Sequence, residues 1–165
     1  MSFRIELTEE AKRNIDGLAK AGKIDLRPTF NVIGIGYRKE VGGIFDKQQP
    51  RGEAQRWPQL SDKYAAWKAK RYPGMPLLVR TGKLKASMTK QGAEGSINII
   101  SKLSAVFGST VAYGVYHDEG GSKLPRRNFS DVSERRKDIW IKQIDDAMRY
   151  NFEKNGVKVD GALAV

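Results

Sequence analysis

The longest helical pattern in the sequence runs through residues 25–47, where apolar side chains recur every three or four positions. These side chains belong to Leu26, Phe30, Ile33, Tyr37, Val41 and Ile44. Because an α-helix completes a turn in 3.6 residues, this spacing places all of them on one face. The pattern predicts a helix from about Asp25 to Lys47 that is buried along one side. Glycines within the segment weaken a helix, so a strand through Asn31–Tyr37 is the alternative.

The chain has 165 residues and no cysteine, and both facts limit the class of protein. The length suits one domain that is stable without cross-links. Without cysteine, a disulfide scaffold, a Cys-ligated metal site, an iron–sulfur cluster and a thiol nucleophile are excluded. The longest apolar runs, Tyr64–Trp67 and Ala162–Val165, are too short to span a membrane. Residues 1–7 lack the apolar region of a secretory signal, so none is expected.

A polar segment rich in proline interrupts the chain after the first long helix. Its composition predicts that Gln48–Pro58 is a loop. Ser61 can then cap a short basic helix that extends to Arg71. Two prolines follow and prevent the helix from continuing. Residues 48–80 are therefore expected to form an exposed, semi-rigid arm.

The hydrophobic period changes from Leu84 onward, where apolar and polar residues alternate as they do in β-strands. This alternation predicts short strands at Ala86–Lys90, Ser96–Ser101 and Leu103–Phe107. A short helix is expected at Val111–Asp118. Together these elements predict a small, mainly antiparallel sheet with a helix beside it.

Helix signals lie on both sides of the sheet region. Thr8 can cap a helix near the start, and Asp131 with Glu134 has capping-box spacing for a last helix that ends near Gly156. The buried face of that helix is expected to contain Ile141, Ile144, Met148 and Phe152. The predicted fold class is α+β, with the small sheet flanked by helices and carrying an extended arm. The expected segments of this single domain are helices in residues 1–47, the arm in 48–80, a core in 81–156 and a tail in 157–165.

The net charge of +11 is concentrated in one part of the chain. Residues 61–94 carry eight basic and two acidic side chains, which is more than half of the excess. Localised positive charge favours a polyanion, because neutralising phosphates releases counterions. A solvated basic face that serves solubility is the alternative.

The sequence offers little support for an enzyme. His117 is the only histidine, and no nucleophile motif accompanies it, although a general base beside Asp118 or Glu119 is conceivable. A structural histidine with hydrogen-bonded ring nitrogens is the favoured interpretation. The run Thr81-Gly82-Lys83 lacks the upstream glycine and the following Ser or Thr of a phosphate loop. We therefore expect no catalytic residue, no cofactor and no metal.

Four short motifs follow one another between residues 57 and 130. The first motif is Trp57-Pro58-Gln59-Leu60-Ser61 with Lys68 downstream, and the second is Leu78, Thr81-Gly82-Lys83-Leu84 and Ser87. The third motif is Tyr113, His117 and Gly120-Gly121, and the fourth is Leu124-Pro125, Arg127 and Phe129. In order and spacing they resemble the phage virion morphogenesis family, which includes tail-completion proteins of Mu-like phages and prophages.

This resemblance implies a non-enzymatic structural protein of the head–tail junction. Such proteins complete or terminate the tail and join it to the filled head. The implied partners are copies of the same chain in a ring, expected to be a hexamer, other neck and tail proteins, and double-stranded DNA that passes through the lumen. The implied location is the virion, after assembly in the host cytoplasm and without a membrane. Two alternatives are a sequence-nonspecific nucleic-acid-binding protein and, last, a hydrolase that uses His117.

The expected roles of individual residues fall into three groups. Contacts with a neighbouring subunit are expected from Trp57, Leu60, Tyr64, Trp67 and Met75. Contacts with DNA or an acidic partner are expected from Lys83, Lys85, Lys90, Arg126 and Arg127. Structural roles within the motifs are expected for Thr81, Gly82, Leu84, Tyr113, His117, Gly120, Pro125 and Phe129. Arg127 can also pair with Asp118 or Glu119, and loss of the Trp57 ring is expected to impair assembly more than folding.

Overall fold

A computed structural model of the chain describes Asp16 and residues 23–50, 55–122 and 124–156, and the backbone alone of residues 2–5. Apart from Asp16, the helix predicted after Thr8 lies outside the described residues, as does the tail in residues 157–165. Part of the predicted loop after the first long helix, residues 51–54, also lies outside them.

Helices and a small sheet make up the described part of the chain, which confirms the α+β class. The elements are β1 (Ser2–Ile5), α1 (Arg27–Lys47), α2 (Asp62–Arg71), α3 (Lys83–Thr89), β2 (Ser96–Ile100), β3 (Ala105–Ser109), α4 (Tyr113–Glu119) and α5 (Glu134–Lys154). The order of strands in the sheet is β1-β3-β2. Strands β2 and β3 form an antiparallel hairpin, in whose turn the Ser101 N–H donates to the Ser104 carbonyl at 2.8 Å.

The described residues divide into two compact units. From residue 23 onward, the first unit contains residues 37–98 and 107–132. The second unit contains residues 23–36, 99–106 and 133–156. All four motifs of the sequence belong to the first unit.

Helix α1 confirms the helical pattern, and the alternative strand at Asn31–Tyr37 is wrong. The apolar face is fully buried, at Leu26, Phe30, Ile33, Tyr37, Val41 and Ile44. Burying one large apolar side chain is worth about 1.5–3 kcal/mol, whereas a glycine in a helix costs about 1 kcal/mol. The buried face therefore outweighs the glycines.

In the second unit, α5 buries Trp140, Ile144, Met148 and Phe152. The predicted face is therefore correct except that Trp140 is buried and Ile141 is only half-buried. The Trp140 ring packs against α1 at Gly36. A Cβ atom at this position would lie 3.4 Å from the indole Nε1, which is an ordinary van der Waals distance, so helix and indole are in direct contact there.

Helix α3 corrects the strand predicted at Ala86–Lys90. Gly82 precedes the helix with φ of +79°, a left-handed conformation that glycine adopts at little cost. The helix then buries Leu84, Ser87 and Met88, which have i, i+3 and i+4 spacing. A window of five residues was too short to separate this helical period from strand alternation. Strand β3, predicted at Leu103–Phe107, lies instead at Ala105–Ser109.

Two predictions about helix starts have different outcomes. Helix α2 begins directly after Ser61, as predicted, although the Ser61 side chain makes no capping hydrogen bond. Helix α5 begins after Ser133, so Asp131 is not its cap. The Asp131 N–H instead donates to the Asn128 Oδ1 at 3.2 Å, which makes a tight turn before the helix.

The segment from residue 55 to residue 80 is not a separate arm. Trp57, Leu77 and Val79 are buried within the first unit. Residues on the outer face of α2 remain exposed, including Tyr64 and Trp67. This segment therefore contributes both to the core and to the surface of its unit.

Candidate functional site

The fourth motif is joined to the first and third by Arg127. The Arg127 side chain is only 2% exposed. Its guanidinium donates from Nε to the Pro58 carbonyl at 2.9 Å and from Nη2 to the Gln59 carbonyl at 3.0 Å. Its backbone N–H donates to the His117 carbonyl at 2.7 Å. One residue thus connects three stretches that are far apart in the sequence.

Trp57 of the first motif lies in the core. Its indole Nε1 donates to the Asn128 carbonyl at 3.0 Å, and its ring packs edge-on against Phe45 with centroids 5.8 Å apart. Phe45 in turn contacts Phe129 of the fourth motif at 5.3 Å. The prediction that Trp57 contacts a neighbouring subunit is wrong, because the chain's own aromatic residues already bury the ring.

Asp118 fixes the backbone at the end of the fourth motif through hydrogen bonds, a role that the sequence did not reveal. Its buried carboxylate accepts from the Phe129 N–H at 2.8 Å, the Ser130 N–H at 3.1 Å and the Ser130 hydroxyl at 2.9 Å. The predicted pairing of Arg127 with Asp118 or Glu119 is therefore wrong. The Arg127 guanidinium and the Asp118 carboxylate each form hydrogen bonds with backbone groups instead, which satisfies both charged groups in the interior.

The second motif is packed beneath the third. Leu84 is buried, and Gly114 of α4 lies so close that a Cβ atom there would be 3.0 Å from Leu84 Cδ1 and 3.5 Å from Phe129 Cζ. The Ser87 hydroxyl, also buried, makes a 2.7 Å hydrogen bond with the Ser109 hydroxyl. These contacts agree with structural roles for Leu84 and Phe129.

Two glycines of the motifs have the conformations that their roles require. Gly120 has φ of +75°, and a Cβ atom there would be 2.8 Å from the Arg126 backbone nitrogen. Gly82 allows the chain to turn into α3, beside Thr81, whose hydroxyl accepts from the Lys83 N–H at 3.5 Å. Gly82 thus precedes a helix in the region where the sequence predicted a strand at Ala86–Lys90.

All four motifs contribute to the lining of one cavity of about 310 Å³. The lining residues are Leu60, Tyr64, Lys68, Leu78, Val79, Arg80, Thr81, Gly82, Tyr113, His117 and Arg127. Four of them are basic, if the neutral histidine is included, and none is acidic. We call this space the basic cavity.

Two of the cationic side chains in the basic cavity are almost fully buried. Lys68 is 6% exposed, and its Nζ donates to the Pro76 carbonyl at 2.5 Å. Burial, reinforced by the nearby charge of Arg127, lowers the pKa of Lys68. Burial also lowers the pKa of Arg127. Backbone carbonyls satisfy hydrogen bonds here, but they supply no full negative charge.

His117 lies in the same cavity with an unsatisfied ring nitrogen. Its Nδ1 is buried and has no hydrogen-bond partner among the described residues, so the prediction that both nitrogens are satisfied is wrong. Burial and the charge of Arg127 lower the pKa of His117 below its usual 6.5. The imidazole is therefore neutral near pH 7. Tyr113 packs edge-on against it, with centroids 6.3 Å apart.

An exposed group of aromatic rings lies beside the basic cavity. Tyr64 and Trp67 of α2 stack with centroids 5.3 Å apart, and Trp67 contacts Tyr72 at 5.8 Å. The Arg80 guanidinium lies 5.9 Å from the Tyr72 centroid. Tyr64, Trp67 and the nearby Met75 are all more than a third exposed. We call Tyr64, Trp67 and Tyr72 the aromatic ladder.

The remaining predicted site residues occupy varied surroundings. Lys83, Lys85 and Lys90 line an adjoining groove that shares Thr81 and Gly82 with the basic cavity, and Lys83 pairs there with Glu94. Lys85 pairs with Asp46 outside the groove lining. Arg126 is exposed and donates to the Asp118 carbonyl at 3.2 Å, whereas Arg127 is buried and cannot face a lumen. Leu60 is half-buried in the basic cavity, and Pro125 is exposed in its loop.

Among the described residues, no cluster of three His, Asp or Glu side chains is suitable for a metal ion. None of the described helices is long and apolar enough to cross a membrane. Comparison of the chain with protein-family models, with curated proteins and with solved structures likewise finds no match.

Proposed function

We propose that this protein is a non-enzymatic structural subunit of a phage head–tail junction, which forms a ring around the path of the DNA and joins tail to head. The observation that carries the proposal is the assembly of all four motifs around the basic cavity. Residues from separate motifs also bond to one another, as Arg127 does with the carbonyls of Pro58 and Gln59. The motifs on which the resemblance rests therefore form one structural unit.

The exposed surface of the first unit supports assembly with other chains. A closed ring requires that one patch on each subunit meet a different patch on the next. The aromatic ladder presents Tyr64 and Trp67 to solvent on a helix that is otherwise strongly basic. Tyrosine and tryptophan are enriched among residues that dominate protein interfaces. We therefore assign the aromatic ladder and Met75 to a contact between subunits.

The lysine groove is the candidate surface toward DNA. Lys83, Lys85 and Lys90 are the basic residues that line it. DNA that slides through a channel needs phosphate contacts without recognition of bases. The ion pairs of Lys83 and Lys85 with Glu94 and Asp46 reduce the charge available, so binding to duplex DNA is expected to be weak and steeply dependent on salt.

The ring is tested by light scattering coupled to gel filtration and by negative-stain microscopy, both with and without purified tail tubes. We expect closed rings, free in solution or at tube ends, that are lost in the variant Trp67→Ser. The matched control is Tyr150→Ser, which removes another exposed aromatic ring, from α5. A chain that stays monomeric in both conditions would contradict the proposal.

A sequence-nonspecific nucleic-acid-binding protein remains the alternative, since the lysine groove serves both functions. A gel-shift titration with duplex DNA across a range of salt concentrations separates them. Tight binding by a monomer, with a steep salt slope and no rings, would favour the alternative.

A further inference from the structure

We infer that the basic cavity is a docking site for an acidic segment of a partner protein, whose glutamate or aspartate carboxylate enters between Lys68 and Arg127. The inference does not require ring formation, because every residue that lines the cavity comes from one unit of one chain, and Tyr64 alone is shared between the lining and the aromatic ladder. A failure of either proposal is therefore distinguishable from a failure of the other.

The charge of the lining is the first argument. Lys68 and Arg127 are almost fully buried, and neither forms an ion pair with a described acidic residue. Removing a cation from water without a counter-charge is costly, so a site of this kind gains most from an anion. Arg80 adds a third positive charge at a more exposed position of the same lining.

The shape and mixed chemistry of the cavity favour a peptide over a nucleic acid. Its volume of about 310 Å³ suits one or two side chains. Leu60, Leu78 and Val79 supply apolar contacts. A glutamate carries an aliphatic stem that can pack there, whereas a duplex presents its phosphates on a convex and hydrated surface.

The surroundings of the cavity suit an interface with a protein. Tyr64 and Tyr113 line it and are each more than two-fifths exposed. Tyrosines at such positions can pack on a peptide backbone and donate hydrogen bonds to it. The Thr81 hydroxyl is a further polar group in the lining.

His117 provides a direct signal of occupancy. As the only histidine of the chain, it gives unique imidazole proton resonances in an untagged protein. The charged groups around it in the cavity are Arg127, Lys68 and Arg80, all positive, and Tyr113 faces it from its own helix. A carboxylate bound among these cations would offset their repulsion of the imidazolium and raise the pKa of His117.

The test uses two short peptides with blocked ends that have Leu-Glu-Leu or Leu-Gln-Leu between Gly-Ser repeats. We expect the Glu peptide to bind roughly tenfold more tightly than the Gln peptide, as a charge-assisted contact implies. We also expect only the Glu peptide to move the His117 titration to higher pH. Equal binding of the two peptides, or binding that leaves the His117 resonances unchanged, would overturn the inference.

Variants within α2 locate the binding site. Lys68→Gln is expected to weaken the Glu peptide roughly tenfold, whereas Lys70→Gln, the same change at an exposed position of this helix, should have little effect. If Lys68→Gln does not fold, Arg80→Gln replaces it in the test. We expect Arg80→Gln to weaken binding of the Glu peptide about threefold. Its control is Arg71→Gln, at an exposed position outside the cavity lining. Equal losses in the variant and its control would contradict the assignment.

A duplex DNA of mixed sequence is the competing ligand. The competition is run at a salt concentration at which the labelled Glu peptide saturates the protein. We expect added duplex DNA to leave this peptide bound. If DNA displaces the peptide from the unaltered protein, and Lys68→Gln abolishes this displacement, phosphate is the occupant of the cavity. That result would overturn the assignment to an acidic peptide.

Discussion

Trp57 and Trp67 both lie in residues 48–80, the segment predicted to form an arm, but their rings have opposite surroundings. The Trp57 ring is 2% exposed, and the Trp67 ring is 40% exposed. Trp57 donates to the Asn128 carbonyl and contacts Phe45, whereas the Trp67 ring packs against Tyr64 and Tyr72, which are close to it in the sequence. Partners distant in sequence thus decide which tryptophan becomes core and which becomes surface.

The strongest test of this contrast replaces each tryptophan by alanine. Trp57→Ala removes a buried ring and leaves the Asn128 carbonyl without its donor, so we expect a loss of about 3–5 kcal/mol in the free energy of unfolding. Trp67→Ala should cost less than about 1 kcal/mol. Urea unfolding followed by circular dichroism measures both. A small loss for Trp57→Ala would place its ring outside the core after all.

A variant of Asp118 tests whether the loop that contains Asn128 keeps the Trp57 ring buried. Asp118→Ala removes one acceptor from three donors, so we expect a loss of about 3 kcal/mol in stability. If the loop loosens, Trp57 gains solvent contact and the tryptophan fluorescence shifts to longer wavelength. The control is Glu119→Gln at the next, exposed position, which should change neither measurement.

A smaller effect is expected where α4 packs on the second motif. Gly114→Ala places a methyl group 3.0 Å from Leu84 and should destabilise the chain by about 1–2 kcal/mol. Gly43→Ala is the matched comparison, because its Cβ meets no atom within 4 Å and α1 gains helix propensity. We expect that variant to be more stable by up to about 1 kcal/mol. Thermal unfolding should therefore give shifts of opposite sign.

The smallest effect concerns the dependence of stability on pH. The pKa of His117 is lowered in the folded chain, so the unfolded chain binds more protons below the usual value of 6.5. Stability is therefore expected to fall as the pH decreases from about 7 to about 5. His117→Gln should make the melting temperature less dependent on pH over this range. An unchanged slope would show that other groups dominate it.

Regular elements with long or well-bounded patterns could be predicted from the sequence. The six apolar positions of α1 are sufficient to identify a helix, and Ser61 with the later prolines bounds α2. The strand predicted at Ser96–Ser101 is found at Ser96–Ile100 for the same reason, since alternation and flanking glycines agree. Helix α3 was missed because seven residues contain too few turns to establish a period.

Within the candidate site, the sequence could identify the motifs but not the partners of their side chains. Lys68 and Arg127 belong to motifs that were recognised, but nothing local indicates that both are buried beside one cavity. The lack of a partner for His117 Nδ1 is equally invisible in the sequence. Hydrogen-bond satisfaction depends on atoms that are brought close only by folding.

By itself, the sequence determined the α+β class, the main helices and the positions of the four motifs, because these follow from local periodicity and turn chemistry. Only the tertiary structure decided that Trp57 and Arg127 are buried, that Asp118 holds the Phe129 and Ser130 backbone, and that the motifs enclose a basic cavity. Burial and charge pairing depend on contacts between distant residues, and a local pattern carries no information about which distant residues will meet.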